Sequence, residues 1–267
     1  MPVALHRSMS RRLAIAGGLA ALSGACDRSD REAPTTEARR WTIGYRIIMR
    51  ASVGGRRREG ASVCKTIYTP TPETALTQTS HFRTQSWGEA IAVDMRERGD
   101  LFGLLGNVGG VTTGHALHIW HTQMLVHLLP ESLNTPEAFR SGEAFTAVSE
   151  LRGAHAVDRQ LWPVMAHFNN RDDITSGAFV PAPGDHYETT PGTQVRSLAA
   201  AFGRDATFDG AWIEITADPP SNRIAELLPW ISRLPGADGG RSTSGGADKS
   251  FGERLVYRNL KMEGYRS

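Results

Sequence analysis

The first twenty-six residues constrain most strongly what this chain can fold into, because their pattern predicts that residues 1–25 are removed and that the mature protein begins at Cys26. Arginines precede a short apolar run, Leu13 to Leu22, and three small residues then lead to Cys26. Basic, apolar and small segments in this order are the layout of a secretory signal. The apolar run is ten residues long, whereas a membrane-spanning helix needs about 20. The sequence therefore predicts a signal peptide over residues 1–25 and no transmembrane anchor there.

The position of Cys26 makes this segment resemble a bacterial lipoprotein signal, in which the new N-terminal cysteine is lipidated. The resemblance implies that Cys26 carries the acyl chains and that these chains hold the protein at the membrane. More than one chain is needed for stable anchoring, and a multiply acylated cysteine meets that requirement. Asp27 is similar to the residue that retains such lipoproteins in the inner membrane. We expect an extracytoplasmic protein on the periplasmic face of that membrane.

Other interpretations of this segment stay open. Cleavage by an ordinary signal peptidase, or a buried N-terminal helix, would leave Cys26 without lipid. Ser10-Arg11-Arg12 before the apolar run also looks like a twin-arginine export signal, which would imply folding before export. Translation from Met9 would give a shorter basic region. The sequence does not choose between these export routes.

Removal of the signal also changes the charge of the chain. The mature chain has 27 Lys and Arg residues against 28 Asp and Glu residues, a formal net charge of −1 in place of +2. A nearly neutral chain has no general electrostatic attraction for nucleic acid, so we expect no nucleic-acid partner. The one basic cluster, 56–58, is bracketed by glycines and is predicted to be the solvated tip of a hairpin with a long turn.

Cys64 is the only cysteine besides Cys26. With Cys26 acylated, the domain has no internal disulfide, and its core has to stabilise it. Cys64 lies in a strand-like run, and no sequence motif supplies the base that would make it a nucleophile. We predict a half-buried strand residue.

Hydrophobic periodicity predicts one α+β domain over residues 41–267, joined to Cys26 by a disordered tether that ends at residue 40. The tether is charged and lacks large apolar side chains. Apolar residues alternate from Trp41 to Met49, and glycines separate this strand from a second β-like run, 61–69. Further strands are predicted over 87–95, 101–105, 161–168 and 211–216, helices over 133–152, 194–202 and 223–230, and a mobile Gly- and Ser-rich loop near 235–250. The expected architecture is an antiparallel, hairpin-built sheet with a few packed helices.

Several segments resemble a family of uncharacterised bacterial proteins, a domain of unknown function. Tyr45 to Val63 is similar to a strand–Gly turn–Gly-Ser-Val hairpin of that family. Residues 88–94, 198–203 and 228–230 match in the same order, and together the matches cover about half of the mature chain. The resemblance implies one compact mixed α/β domain. It implies no activity and transfers no functional residues.

Four of the nine histidines lie in HALHIWHTQMLVH, as His115, His118, His121 and His127. On a helix, the first three spread over about 120° of one face, where neighbouring imidazoles can share a transition metal ion. On a strand, His115, His121 and His127 would share a face instead. The segment also has the pattern of an amphipathic helix whose polar face contains histidine, and it lacks a carboxylate or cysteine. We predict such a helix surface, with a metal site at His115, His118 and His121 as the alternative.

A second polar cluster combines His167 with Asp172 and Asp173 after a predicted strand. A histidine beside carboxylates can act as a base. The run Asn169 to Asp173, however, is typical of a turn, because Asn and Asp bond to their own backbone. We predict the turn, with a polar site as the alternative.

Taken together, these patterns predict a lipid-anchored extracytoplasmic binding or structural module at the cell envelope. Its expected partners are the membrane, through the anchor, and an envelope protein. No cofactor is expected and catalysis is not favoured. The alternative is a metal-binding protein, or a metal-dependent enzyme, that uses the His115–His127 segment.

Overall fold

The computed structural model describes residues 39–70, 82–106, 111–112, 120–183, 188–189, 194–234, 255 and 257–266. These residues belong to one unit, Ala38–Ser267. The signal segment, Cys26, nearly all of the predicted tether and the predicted loop near 235–250 lie outside the described residues. No helix in the described ranges is long and apolar enough to cross a bilayer.

Alternation of apolar side chains builds the first hairpin. β1 (Trp41–Val53) pairs antiparallel with β2 (Arg56–Pro70) along its whole length. The connection has only two residues, Gly54 and Gly55, with φ of 59° and 69°. Positive φ at both positions is the geometry of a type I′ hairpin turn. The expected long turn with arginines at its tip was therefore wrong, since Arg56 to Arg58 belong to β2.

The hairpin lies at the centre of a six-stranded antiparallel sheet, called here the first sheet. Its strand order is β12-β3-β2-β1-β11-β7. The outer strands come from distant parts of the chain. They are β3 (Phe82–Glu89), β7 (Ala154–Ala156), β11 (Thr207–Ile215) and β12 (Lys261–Arg266).

A four-stranded antiparallel sheet, called here the second sheet, has the order β4-β5-β8-β9. The chain passes into it at Ala90, so the strand expected over 87–95 is divided between the two sheets. The strands are β4 (Ile91–Asp94), β5 (Asp100–Gly103), β8 (Met165–Phe168) and β9 (Gly177–Val180). A separate pair joins β6 (Val111–Thr112) to β10 (Glu188–Thr189).

The helices are short. The helix expected over 133–152 is divided in two at Gly142, which has φ of 85° and is left-handed. The helix expected over 194–202 begins only at Leu198, where the Ser197 hydroxyl accepts from the N–H of Ala200. Their bounds are α1 (Trp120–His127), α2 (Pro136–Ser141), α3 (Glu143–Glu150), α4 (Leu198–Phe202), α5 (Ile224–Leu227) and α6 (Tyr257–Leu260).

The second sheet is buried on both faces, so the fold has three layers. One face packs on the apolar face of the first sheet and gives the main core. The other face is covered by residues around α5 and α6 and forms a second core. The sheets approach closely at Gly60, where a Cβ would overlap the carbonyl oxygen of Ala92. The predicted fold class is confirmed: antiparallel sheets built from hairpins, with a few packed helices.

Candidate functional site

The two-residue period of β2 places two arginines at the rim of the sandwich. Cys64, Ser62 and Gly60 share the face of β2 that is buried between the sheets. Arg58 and Arg56 continue this face toward the hairpin turn, because alternate strand residues point the same way. Arg58 is half-buried and Arg56 is exposed. The buried face of β2 therefore leads to two guanidinium groups at the edge of the packed sheets.

The turn between β4 and β5 supplies the opposite wall. Asp94 Oδ1 accepts a hydrogen bond from the N–H of Arg96 at 2.7 Å and so fixes the turn. Arg96 has φ of 64°, and no other non-glycine residue in the described ranges has positive φ. Arg56, Arg58, Asp94, Arg96 and Glu97 line an open groove of about 560 Å³. These five residues are called the arginine groove below.

The arginine groove carries unpaired positive charge. Three guanidinium groups face two carboxylates, a formal charge of +1. Within the described residues, no hydrogen bond or ion pair involves the guanidinium groups of Arg56, Arg58 and Arg96. The Nε atom of Arg58 is buried and has no hydrogen-bond partner there. An oxyanion from outside the chain cannot reach this buried atom, and it would meet the terminal N–H groups of the three arginines, which have no partner among the described residues.

Both walls of the groove are held by Asp205, which follows α4. Its Oδ2 accepts from the N–H of Gly54 in the hairpin turn, and its Oδ1 accepts from Arg98 Nη1, each at 2.7 Å. Arg98 also donates to the carbonyl of Phe202. The hydrogen bond from Arg98 lowers the pKa of Asp205, so the carboxylate is charged near neutral pH. These bonds tie the β1–β2 turn to the β4–β5 turn.

His167 lies close to this rim but is enclosed. Its side chain is buried, its Nδ1 is 3.3 Å from the carbonyl oxygen of Asp100, and its ring packs on Phe202 with centroids 4.6 Å apart. Burial lowers the pKa of His167 and favours the neutral imidazole. In this position the ring stabilises the β5 backbone and is shielded from solvent.

Asp100 is the second buried titratable group near the rim. Its carboxylate lies 2.6 Å from Arg171 Nη2, although the residue is only 3% exposed. Burial raises the pKa of Asp100, while the positive charge of Arg171 opposes this effect. The polar groups that face His167 are thus the Asp100 carbonyl, the Asn169 side chain and the Arg196 guanidinium rather than the two carboxylates that the sequence placed beside it.

Asp172 and Asp173 are exposed residues of a turn. Asp173 Oδ1 accepts from the backbone N–H of Thr175 at 2.8 Å, at the start of a short 3-10 helix. The N–H of Asp172 donates to the side chain of Asn170. No hydrogen bond or ion pair between described residues joins either carboxylate to His167. This arrangement agrees with the turn that the sequence predicts.

The histidine segment lies partly outside the described residues. His115 and His118 precede the described part of α1, and His121 lies on α1 without a described side chain. His127 is exposed at the end of this helix. Among the described residues there is no group of three His, Cys, Asp or Glu side chains placed to hold a metal ion. The metal site at His115, His118 and His121 stays a prediction.

Sequence reasoning missed the arginine groove. It grouped 56–58 as one basic cluster, although the two-residue period separates Arg56 and Arg58 from Arg57, which faces the other side of the sheet. The strand pattern already contained that signal. No sequence signal indicated that Arg96 lies near Arg56 and Arg58. β2 and β4 belong to different sheets and meet only through tertiary packing.

No protein-family model matches the chain, and no curated protein and no solved structure is significantly similar to it. The resemblance of Tyr45 to Val63 and the later segments to uncharacterised bacterial proteins stays a prediction. Function is therefore inferred from the N-terminal segment and from the arginine groove.

Proposed function

We propose that this protein is a lipid-anchored binding module of the cell envelope, held at the membrane through Cys26 and presenting the arginine groove to a ligand. The observation that carries this proposal is the set of three guanidinium groups without partners among the described residues. They lie between two turns that Asp205 joins by hydrogen bonds. Arginine forms its strongest interactions with oxyanions, and no described residue forms a hydrogen bond or ion pair with these three guanidinium groups. An external anionic partner would satisfy them.

The anchor keeps this groove close to the membrane. Residues 27–40 separate Cys26 from β1. As a flexible coil, fourteen residues span on the order of 20 Å, and fully stretched they span about 50 Å. A domain held at this distance samples ligands at the membrane surface, in the envelope proteins around it and in the adjoining aqueous space.

Binding is favoured over catalysis by the chemistry of the groove. Arginine stays protonated at all physiological pH values, so it cannot serve as a general acid or base near neutrality. His167 is buried against Phe202, and Asp173 holds a turn. Of the two carboxylates in the groove, Asp94 accepts the N–H of Arg96 in the turn, and three arginines outnumber them, so the described groups at the rim suit recognition of charge better than proton transfer.

The anchor is tested by changing Cys26→Ser and measuring two properties, incorporation of an alkyne analogue of palmitate and partition into the detergent phase of Triton X-114. We expect the wild-type protein to incorporate the label and enter the detergent phase, and the variant to lose both properties. Cys64→Ser is the matched control and keeps both, because Cys64 is buried between the sheets. A Cys26→Ser protein that is still labelled and still partitions into detergent would contradict the proposal.

A further inference from the structure

We infer that the ligand of the arginine groove carries a phosphate group on a hydroxylated body. This inference rests on the proposed binding function and names the class of ligand. A guanidinium group presents parallel N–H donors that match two oxygens of a phosphate. Arg56, Arg58 and Arg96 approach the same groove from two walls, so several oxygens of one phosphate can be bound at once. A phosphate monoester presents three terminal oxygens to these donors, whereas a phosphodiester and a carboxylate each present two.

The terminal N–H groups of Arg58 fix the expected position of the anion. Arg58 lies between the exposed Arg56 and the fully buried core of β2, and its Nε has no partner in the described part of the chain. An exposed arginine exchanges its hydrogen bonds with water, whereas this N–H is withdrawn from solvent. A ligand oxygen does not reach this Nε either, so a bound phosphate would accept hydrogen bonds from the terminal N–H groups of Arg58.

The backbone of Arg96 gives an independent reason to assign a role to its side chain. At φ of 64° glycine is favoured and an L-residue is strained. Asp94 holds this conformation through the N–H of Arg96. Glycine would stabilise the same turn without a side chain, so arginine here is explained by what its guanidinium binds. Strained residues of this kind are concentrated at functional sites.

The volume and the acidic residues of the groove indicate the chemistry of the part of the ligand that is not phosphate. Its volume of about 560 Å³ far exceeds that of a phosphate ion and lies within the range of small-molecule sites, roughly 300–1,000 Å³. Asp94 and Glu97 accept hydrogen bonds and repel additional negative charge. They are complementary to hydroxyl groups. The chemistry matches a phosphorylated polyol, either free or as the headgroup of a lipid.

Isothermal titration of the purified protein with glycerol 1-phosphate tests this inference. We expect saturable binding by the wild-type protein, weakened by at least about tenfold in Arg58→Gln and in Arg96→Gly, since each loses a charged hydrogen-bond donor. Arg57→Gln removes the same charge from the opposite face of β2 and should change the affinity by less than about twofold. Arg96→Gly also separates an effect on binding from an effect on folding, because relief of backbone strain should raise its Tm while its affinity falls.

Titration with glycerophosphoglycerol, the phosphodiester headgroup without acyl chains, identifies the source of the phosphate. Tighter binding than glycerol 1-phosphate assigns the site to a lipid headgroup, and weaker binding assigns it to a free phosphate monoester. Absence of saturable binding to both probes overturns the inference, as does an Arg57→Gln protein that loses as much affinity as Arg58→Gln. Neither result depends on lipidation, so failure here is distinct from failure of the Cys26 experiment.

Discussion

Burial determines the chemistry of His167. A histidine beside two aspartates in sequence has the composition of an acid–base site, yet the fold encloses the ring and sends Asp172 and Asp173 to the surface. The groups that face the imidazole are the Asp100 carbonyl, the Asn169 side chain, the Arg196 guanidinium and the Phe202 ring. Desolvation by burial lowers its pKa below the usual 6.5, ahead of the opposing effects of hydrogen bonding. The ring is therefore neutral in the folded protein.

This neutral histidine makes the free energy of unfolding depend on pH. The unfolded chain binds a proton at His167 near pH 6.5, whereas the folded protein does so only at lower pH. Stability present above pH 6.5 is therefore lost as the pH falls through the lowered folded-state pKa. Urea denaturation between about pH 8 and about pH 5.5 should show this decline in the wild-type protein and a smaller one in His167→Gln.

Asp100 supplies the internal check on that experiment. Its pKa is raised above 3.8, so its contribution has the opposite sign: stability is lost as the pH rises through its folded-state pKa. An unchanged pH slope in His167→Gln would show that other groups cause the decline. Because the contribution of Asp100 opposes the decline on acidification, Asp100→Asn, measured over the same range, should show a decline at least as steep as that of the wild-type protein.

At the scale of elements, the junction after β3 controls how the two sheets meet. Glu89 is the last residue of β3 and is only 4% exposed. Its Oε2 accepts from the N–H groups of Arg223 and Ile224, at 2.6 and 2.8 Å, where α5 begins. Its carbonyl accepts from Ser62 on the neighbouring strand β2. One residue thus joins the first sheet to the helix that covers the second.

Removal of this side chain should destabilise the protein strongly. We expect Glu89→Ala to lower the free energy of unfolding by about 3 kcal/mol, because the buried N–H of Ile224 and the partly buried N–H of Arg223 lose a charged acceptor. Glu226→Ala in the exposed face of α5 is the matched control, with an expected change within about 0.5 kcal/mol. Denaturant unfolding measures both. Equal effects of the two substitutions would show that Glu89 does not hold this junction.

At the scale of the whole molecule, Cys64 reports whether the sandwich opens as a unit. The residue lies on the core face of β2, is fully buried, and has a pKa raised by burial to about 12. Next to it, Gly88 approaches so closely that a Cβ there would overlap the Cys64 sulfur. The thiol is thus both protonated and enclosed by backbone from β3.

We expect Cys64 to resist a maleimide reagent in the folded protein and to react only after global unfolding. The thiolate is the reactive form, and neither it nor the reagent is accommodated in the closed core. Labelling across a urea series should follow the same transition as tryptophan fluorescence, as a two-state domain requires. The Cys64→Ala protein gives the background. Rapid labelling without denaturant would contradict the closed core.

The sequence by itself determined the features that depend on neighbouring residues. Alternation from Trp41 to Met49 predicted β1, and the glycines at 54 and 55 predicted a hairpin, although with a longer turn than the structure has. The order of basic, apolar and small residues predicts an export segment, which lies outside the described residues and stays a prediction. Strand period and turn conformation are local, because each is set by residues within a few positions. These patterns were enough to predict an antiparallel α+β fold.

Tertiary structure alone decided which distant elements meet. The division of strand 87–95 at Ala90, the burial of His167 and the convergence of Arg58 with Arg96 all depend on packing between the two sheets. The close approach at Gly60 brings β4 onto β2, and nothing in the sequence around either strand specifies that partner. Local patterns fix the face of a strand on which a side chain lies. The arginine groove forms because β2 and the turn after β4, about forty residues apart in the chain, meet at the same edge of the two packed sheets.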